Sequence, residues 1–556
     1  MLRPMARVLL IPSLLLIVLG IACYLASAGA LRTTGPNRPI VICYADDVKT
    51  LDVGEMSWQN DIRTAMALWE GLTSYDPATL APIPGVAESW DISPDQKTYT
   101  FHLRPNARWS NGDPVTAQDF IFAWKRVFVP ATGANYLTLF NVIDGAQEYG
   151  EAIADNKPAD FSTVAVRSPD PHTLIVRLKH PRGYFLDLCA FPTFFPLHEA
   201  AMQPFLVDPS DAAKGYNGRW MRPPTLVTNG AFYLNDWKFK QYMLLEPNPH
   251  YWDRANVHCD QLIIRAISDP RAALLAFRSG TVDVLTNIPP QFGKDLLAQP
   301  EDQRRDIHYQ PVFGTYYYLF NCTRGPLKDA RVRKALALSI DRKKIVDEVT
   351  RMHQRPITVL VPPDSIPGYK SPAGLEMNID EAKRLLADAG YPEGKGMPTL
   401  EILYNNEAMH ERISQALGQM WEQALGIHVT YRGLERGSFG SERQEAHNFD
   451  IARAGWYGDY GDPTTWLNLF ATGDNNNDGL YSNAAYDKLL AEANAEPDAQ
   501  RRLNILSDAE RLLVEDQFPL LPLYQYADGY MYDDAKIGGF TMNVRELNEL
   551  KWIYRK

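Results

Sequence analysis

Residues 399–431 spell out a crossover that fixes the class of fold. Thr399-Leu-Glu-Ile-Leu-Tyr404 reads as a strand, Met409 to Leu425 as an amphipathic helix, and Ile427-His-Val-Thr-Tyr431 as a returning strand. Ile413, Leu417, Met420 and Ala424 share one helical face, and Gly426 supplies the stop. Strands joined through a helix form a parallel pair with a right-handed connection. A further helix, Asp380 to Ala389, precedes the unit and is closed by Gly390 and Pro392. Thr98–Leu103 and His172–Leu178 carry period-two apolar positions typical of strands. Strand and helix patterns alternate throughout, so the fold class is α/β, in several pieces. A length of 556 residues fits about three or four domains.

The N-terminus reads as an export signal. Arg3 and Arg7 form a basic start, Val8 to Leu25 an apolar run, and Ala26-Ser-Ala28 or Ala28-Gly-Ala30 a small-residue cleavage pattern. An uncleaved anchor is the second reading, because the run approaches the length of a spanning helix. A lipid at Cys23 is the third, with Gly20 where a branched apolar residue is normally found. All three place the body of the protein outside the cytoplasm. The net charge of −11 argues against nucleic acid as a partner. Cys43, Cys189, Cys259 and Cys322 are widely spaced, lack a CxxC pair and leave any disulfide pairing open.

The segment Phe449-Asp-Ile-Ala-Arg453-Ala-Gly-Trp-Tyr-Gly-Asp459-Tyr-Gly-Asp-Pro463 opens as a short buried strand and runs into a loop of aromatics, glycines and aspartates. Loops at the carboxyl ends of strands hold ligands in open α/β sheets. Glycines let a ligand approach the backbone, aromatics can wall a pocket, and an aspartate can meet a cation. Elsewhere the chemistry-bearing patterns fail. Asp474-Asn-Asn-Asn-Asp-Gly479 begins like a calcium loop but has Ala485 where a glutamate is required. His198-Glu199 lacks a second zinc histidine, Gly437-Ser-Phe-Gly440 is no nucleophile elbow, and Gly394-Lys-Gly396 is too short for a phosphate loop. No catalytic set, metal site or cofactor is expected.

Several separated motifs, all in one order, resemble the periplasmic oligopeptide-binding proteins of ABC importers (family 5 extracellular solute-binding proteins). They include Pro84–Trp90, Tyr99–Arg104, Trp109–Phe120, Val227–Phe232, Phe277–Gly280 with Asp283, Tyr316–Tyr318 and Asp329–Leu336, besides the Arg453–Asp459 loop. The resemblance implies a two-lobed periplasmic-binding-protein fold of three domains, with the ligand cleft between lobes. It assigns residues 1–30 to the signal, 31–69, 191–313 and 525–556 to domain I, 70–190 to domain II, and 314–524 to domain III. It implies a monomer that captures short peptides and delivers them to an ABC permease in the inner membrane, with a murein-peptide specialist or a secreted hydrolase as alternatives.

By the same resemblance Asp459 meets the peptide's α-ammonium. Strand edges at Ser57-Trp58-Gln59 and Gly455-Trp456-Tyr457 meet its backbone, joined by Tyr136. Arg453, His410 and Arg443 supply cations for the carboxylates of peptides of different lengths, with His410 acting as imidazolium. Thr350 stands where the family has a lysine, and Arg436 where it has a pocket tryptophan. The family's disulfide positions read Gly314 and Tyr457, so the loop around Tyr457 must be held another way.

Overall fold

The computed structural model describes residues 38–288, 290–300 and 303–556. The export segment therefore lies outside the described residues. Among the described residues no helix is long and apolar enough to cross a membrane.

One large mixed sheet organises the chain. Its main strands are β1 (Ile40–Tyr44), β2 (Phe232–Lys238), β3 (Tyr242–Pro247), β4 (Leu262–Ala266), β5 (Val284–Leu285), β6 (Ile307–Phe320), β7 (Leu400–Asn405), β8 (Val429–Leu434), β9 (Ile451–Tyr457) and β10 (Leu520–Tyr532), with the two-residue strand Arg355–Pro356 paired to β10. Their order across the sheet is β8-β7-β9-β6-β10-β5-β1-β4-β3-β2. The helices that matter for the site are α1 (Gln59–Leu68), α2 (Phe185–Cys189), α3 (Ala408–Leu425) and α4 (Ala499–Arg511).

The predicted crossover is present: β7 and β8 pair in parallel, from Leu400 with Val429 to Asn405 with Leu434. Helix α3 joins them and buries Ile413, Leu417, Trp421 and Leu425. Gly426 ends it in the left-handed region at φ 68°, which glycine adopts freely.

Two long antiparallel strands, β6 and β10, tie the molecule together. Ile307–Pro311 pairs with Met531–Ala527, where β10 also touches β5; Thr315–Leu319 pairs with Gln525–Leu520, beside β9. The register shifts between Pro311 and Thr315, and an irregularity there bends and twists the pair. On the far side of it, the side chains of β6 alternate between two cores. Phe313, Tyr317 and Leu319 enter one, and Tyr316, Tyr318 and Phe320 the other, as the two-residue period of a strand dictates.

On the near side, a large core collects residues from Ile40 to Val284 with Tyr530 to Ile553, including those of a separate antiparallel sheet at Ala87–Ile92, Thr98–Leu103, Val166–Asp170 and Thr173–Arg177. A smaller core lies on the opposite face of β1. The result is two lobes, joined through β6 and β10. The cysteines left open by the sequence, Cys43, Cys189, Cys259 and Cys322, are free thiols.

Candidate functional site

Strand β9 runs further than the sequence suggests. It continues through Gly455, Trp456 and Tyr457, so these residues belong to a strand and the loop begins at Gly458. One edge of β9 is fully paired to β6, from Ile451 with Phe320 to Tyr457 with Gly314. On the other edge β7 pairs only at Ile451 and Ala452. Beyond that point the edge at Gly455–Tyr457 is available for an added strand.

The missing disulfide is replaced by aromatic packing. Gly314 and Tyr457 are register partners, and the Tyr457 ring stacks on Tyr526 at 4.8 Å. A Cβ on Gly314 would lie 2.8 Å from the Tyr457 ring, and one on Gly455 would lie 2.3 Å from the Tyr526 hydroxyl. A side chain at either glycine would have to displace these rings.

Asp459 stands just past the end of β9. Its backbone N–H donates to Thr465 Oγ1 at 3.0 Å, and its carboxylate accepts from the Tyr136 hydroxyl of the opposite lobe at 3.4 Å. No Lys, Arg or His side chain among the described residues pairs with it. Burial pushes its carboxyl up from 3.8 to about 6, against the opposing hydrogen bonds from Tyr136 and Thr465. A carboxyl raised in the folded state contributes stability below its unfolded value of 3.8, and loses that contribution as pH rises through about 6. Near pH 7 the Asp459 carboxylate is therefore an anion with no counter-charge among the described residues.

Arg453 is the converse. Its guanidinium donates to the Tyr526 hydroxyl at 2.9 Å and lies 4.9 Å from the Tyr316 ring centre, while its Nε is buried without a partner. Among the described residues no carboxylate pairs with it. From Arg453 to Tyr457 the strand advances by four residue steps, or about 13 Å.

The other two expected cations are corrected. Arg443 is already neutralised: its Nε lies 2.9 Å from Asp478 Oδ2, and its Nη1 donates to the Arg453 carbonyl at 3.3 Å. Asp478 belongs to the loop that began like a calcium site, and it is spent on this pair. His410 is buried and neutral. Burial first, then the nearby Arg453 charge, push its pKa from 6.5 to about 3. Its Nδ1 lies 3.0 Å from the Tyr316 hydroxyl, and Glu407, 3.3 Å from Nε2, is too exposed to offset the burial. His410 is therefore held neutral near pH 7.

The expected strand edge at Ser57-Trp58-Gln59 is also corrected, since Ser57 and Trp58 form an exposed loop and Gln59 already opens α1. Trp58 is extended (φ −92°, ψ 140°) with Lys49 Nζ 3.1 Å from its ring centre. Gln59 donates to the carbonyls of Arg545 and Glu546 at 3.3 and 3.1 Å. Thr350 is buried and bonded to Gln354, and Arg436 is exposed at the start of a short helix.

The loop itself is fixed by residues that sequence reasoning missed. Asp462 receives two guanidinium hydrogen bonds from Arg502 on α4, at 2.6 and 2.9 Å, with both side chains buried. Asp187 on α2 does the same with Arg545, and Tyr184 stacks on Tyr460 at 4.7 Å.

A two-lobed α/β chain with an unpaired arginine on one strand, and an unpaired aspartate just past that strand's end that meets a tyrosine of the opposite lobe, has the form of a solute-binding protein. The chain belongs to the bacterial extracellular solute-binding proteins, family 5, whose model matches residues 81–478. It is 32% identical to the periplasmic oligopeptide-binding protein OppA of Salmonella typhimurium over 554 residues, 95% of each chain. It is 33% identical to the periplasmic murein peptide-binding protein MppA of Escherichia coli over 512 residues, 91% of each. Among solved structures, the unliganded open form of the murein tripeptide-binding protein MppA superposes with a TM-score of 0.80 at 31% identity, covering 94% of this chain and 98% of that one.

Two outcomes follow from the geometry. Replacing Asp462 by alanine strands Arg502 as a buried charge and should lower the unfolding free energy by about 3–5 kcal/mol in urea denaturation. Replacing His410 by alanine should change ligand affinity by the same factor at pH 5.5 and pH 8, because no imidazolium forms in that range; calorimetry at the two pH values checks this.

Proposed function

We propose that this protein is an exported binding protein that encloses short peptides between its lobes and hands them to an ABC permease of the inner membrane. The observation that carries the reading is a pair of half-buried charges, Arg453 on β9 and Asp459 just past its end, neither with a counter-charge among the described residues. Asp459 lacks a cation and Arg453 lacks a carboxylate, while the edge of β9 between them has free main-chain groups. A buried unpaired ion is costly, so each charge calls for an opposite one. A zwitterionic peptide supplies an ammonium at one end, a carboxylate at the other, and a backbone that pairs with a strand edge. The strand edge from Arg453 to Tyr457, about 13 Å long, can pair with roughly four extended residues. The names of the relatives, oligopeptide- and murein-peptide-binding proteins, support the same ligand class.

In this reading Asp459 takes the α-ammonium with Tyr136 beside it. Gly455, Trp456 and Tyr457 pair with the peptide backbone, Ser57, Trp58 and Gln59 approach from the other lobe, and Arg453 takes the carboxylate. His410 and Arg443 act through neutral or already paired contacts. The domain division given above, with domain III at 314–524, is part of the same proposal, supported by the change of core beyond Phe313. Closure follows bending of β6 and β10 near their register shift. The molecule acts as a monomer in the periplasm and leaves its ligand chemically unchanged; recovery of every peptide intact after incubation separates this from a hydrolase. A panel of unrelated tripeptides that mostly bind supports a general importer, and one preferred murein peptide would narrow it.

Replacing Asp459 by alanine should weaken tripeptide binding by about 2–5 kcal/mol. N-acetylation should weaken wild-type binding similarly and add little to the variant. Unaltered affinity in the variant would remove Asp459 from the site. Replacing Arg453 by alanine should hurt some lengths between two and six residues far more than others, and C-terminal amidation should mimic it at those lengths. Equal losses at every length would make Arg453 a fold residue instead.

A further inference from the structure

The loop that carries Asp459 is gripped by both lobes, one residue at a time. Tyr460, although it lies in the chain between second-lobe strands, is buried in the first lobe's core with its ring on Tyr184. The next residue, Gly461, donates its N–H to Asp187 Oδ2 of α2 at 3.0 Å. Asp462 then turns back to the second lobe and binds Arg502. Asp187 is buried, and both its oxygens also accept from Arg545, at 2.6 and 2.9 Å. Arg545 in turn offers its carbonyl to Gln59. A charge-assisted network of this kind holds its members far more rigidly than a surface hydrogen bond.

We propose that Asp187 is a positioning residue for the ammonium site: through the Gly461 N–H it holds the Asp459 carboxylate against Tyr136, so that the site is complete only while the loop is clamped to the first lobe. This rests on the reading of Asp459 as the ammonium partner. Asp187 acts through the loop rather than as a counter-charge, since both its oxygens are already held by Arg545. It fixes the turn two residues beyond Asp459, and without it the carboxylate is free to leave Tyr136 with the second lobe. Recognition of the ligand's cationic end is thereby tied to the relation between the lobes.

The test is calorimetry of the full chain with trialanine and with N-acetyl-trialanine. Wild type should favour trialanine by about a hundredfold, as expected for a buried charge partner. Replacing the buried pair by Asp187→Leu with Arg545→Met removes the Gly461 acceptor while leaving no unpaired charge, which protects folding. That double variant should lose about tenfold or more of the preference for trialanine, while its affinity for N-acetyl-trialanine changes less than about threefold. Asp187→Asn, which keeps an oxygen for the Gly461 N–H, should retain most of the preference. Equal weakening toward both peptides, or an unchanged preference in the double variant, would overturn the positioning role and leave Asp187 a fold residue. A wild type that does not distinguish the two peptides would overturn the ammonium reading itself.

Discussion

A carboxylate kept from water without a cation is held in an unfavourable state, and the site is arranged around that condition. Asp459 sits at the end of β9 with only a tyrosine hydroxyl and a threonine for company, and burial raises its pKa to about 6. Six residues earlier, Arg453 lies among tyrosine rings with no carboxylate. Three nearby charge pairs are satisfied within the protein: Asp462 with Arg502, Asp187 with Arg545, and Arg443 with Asp478. In the proposed reading, Asp459 and Arg453 mark the place where an external zwitterion would complete the electrostatics.

Holding that arrangement open takes a stiff frame. The strand that carries Arg453 and leads into Asp459 is paired along one whole edge to β6, and β6 and β10 are shared by the two lobes. Tyrosines replace the covalent link that the family places beside the site, with Tyr457 stacked on Tyr526 over Gly314. The loop beyond the strand is then clamped by ion pairs from both sides.

Much of this was legible in the residues. The Leu400–Leu434 crossover follows from apolar period and a glycine stop, whereas the strand before Asp459 runs three residues further than its glycine and aromatics suggest, to Tyr457. Relations between distant residues were not legible. Asp187 and Arg545 are 358 positions apart, and nothing local to either shows the pairing. The same gap explains the misreading of the cations. Arg443 and His410 carry the right chemistry, but Asp478 neutralises one and burial discharges the other. Ser57–Gln59 likewise lacks the alternation of a strand, and only the resemblance suggested an edge there.

The most direct measurement is proton release on binding, obtained from calorimetry of a tripeptide in buffers of different ionisation enthalpy. At pH 5 the Asp459 carboxyl is mostly protonated, and an incoming ammonium should expel close to one proton per peptide; at pH 7.5 the carboxylate is already free and release should fall close to zero. Asp459→Asn should abolish the pH 5 release. Equal release at both pH values, or a pH 5 release that survives in Asp459→Asn, would contradict the account.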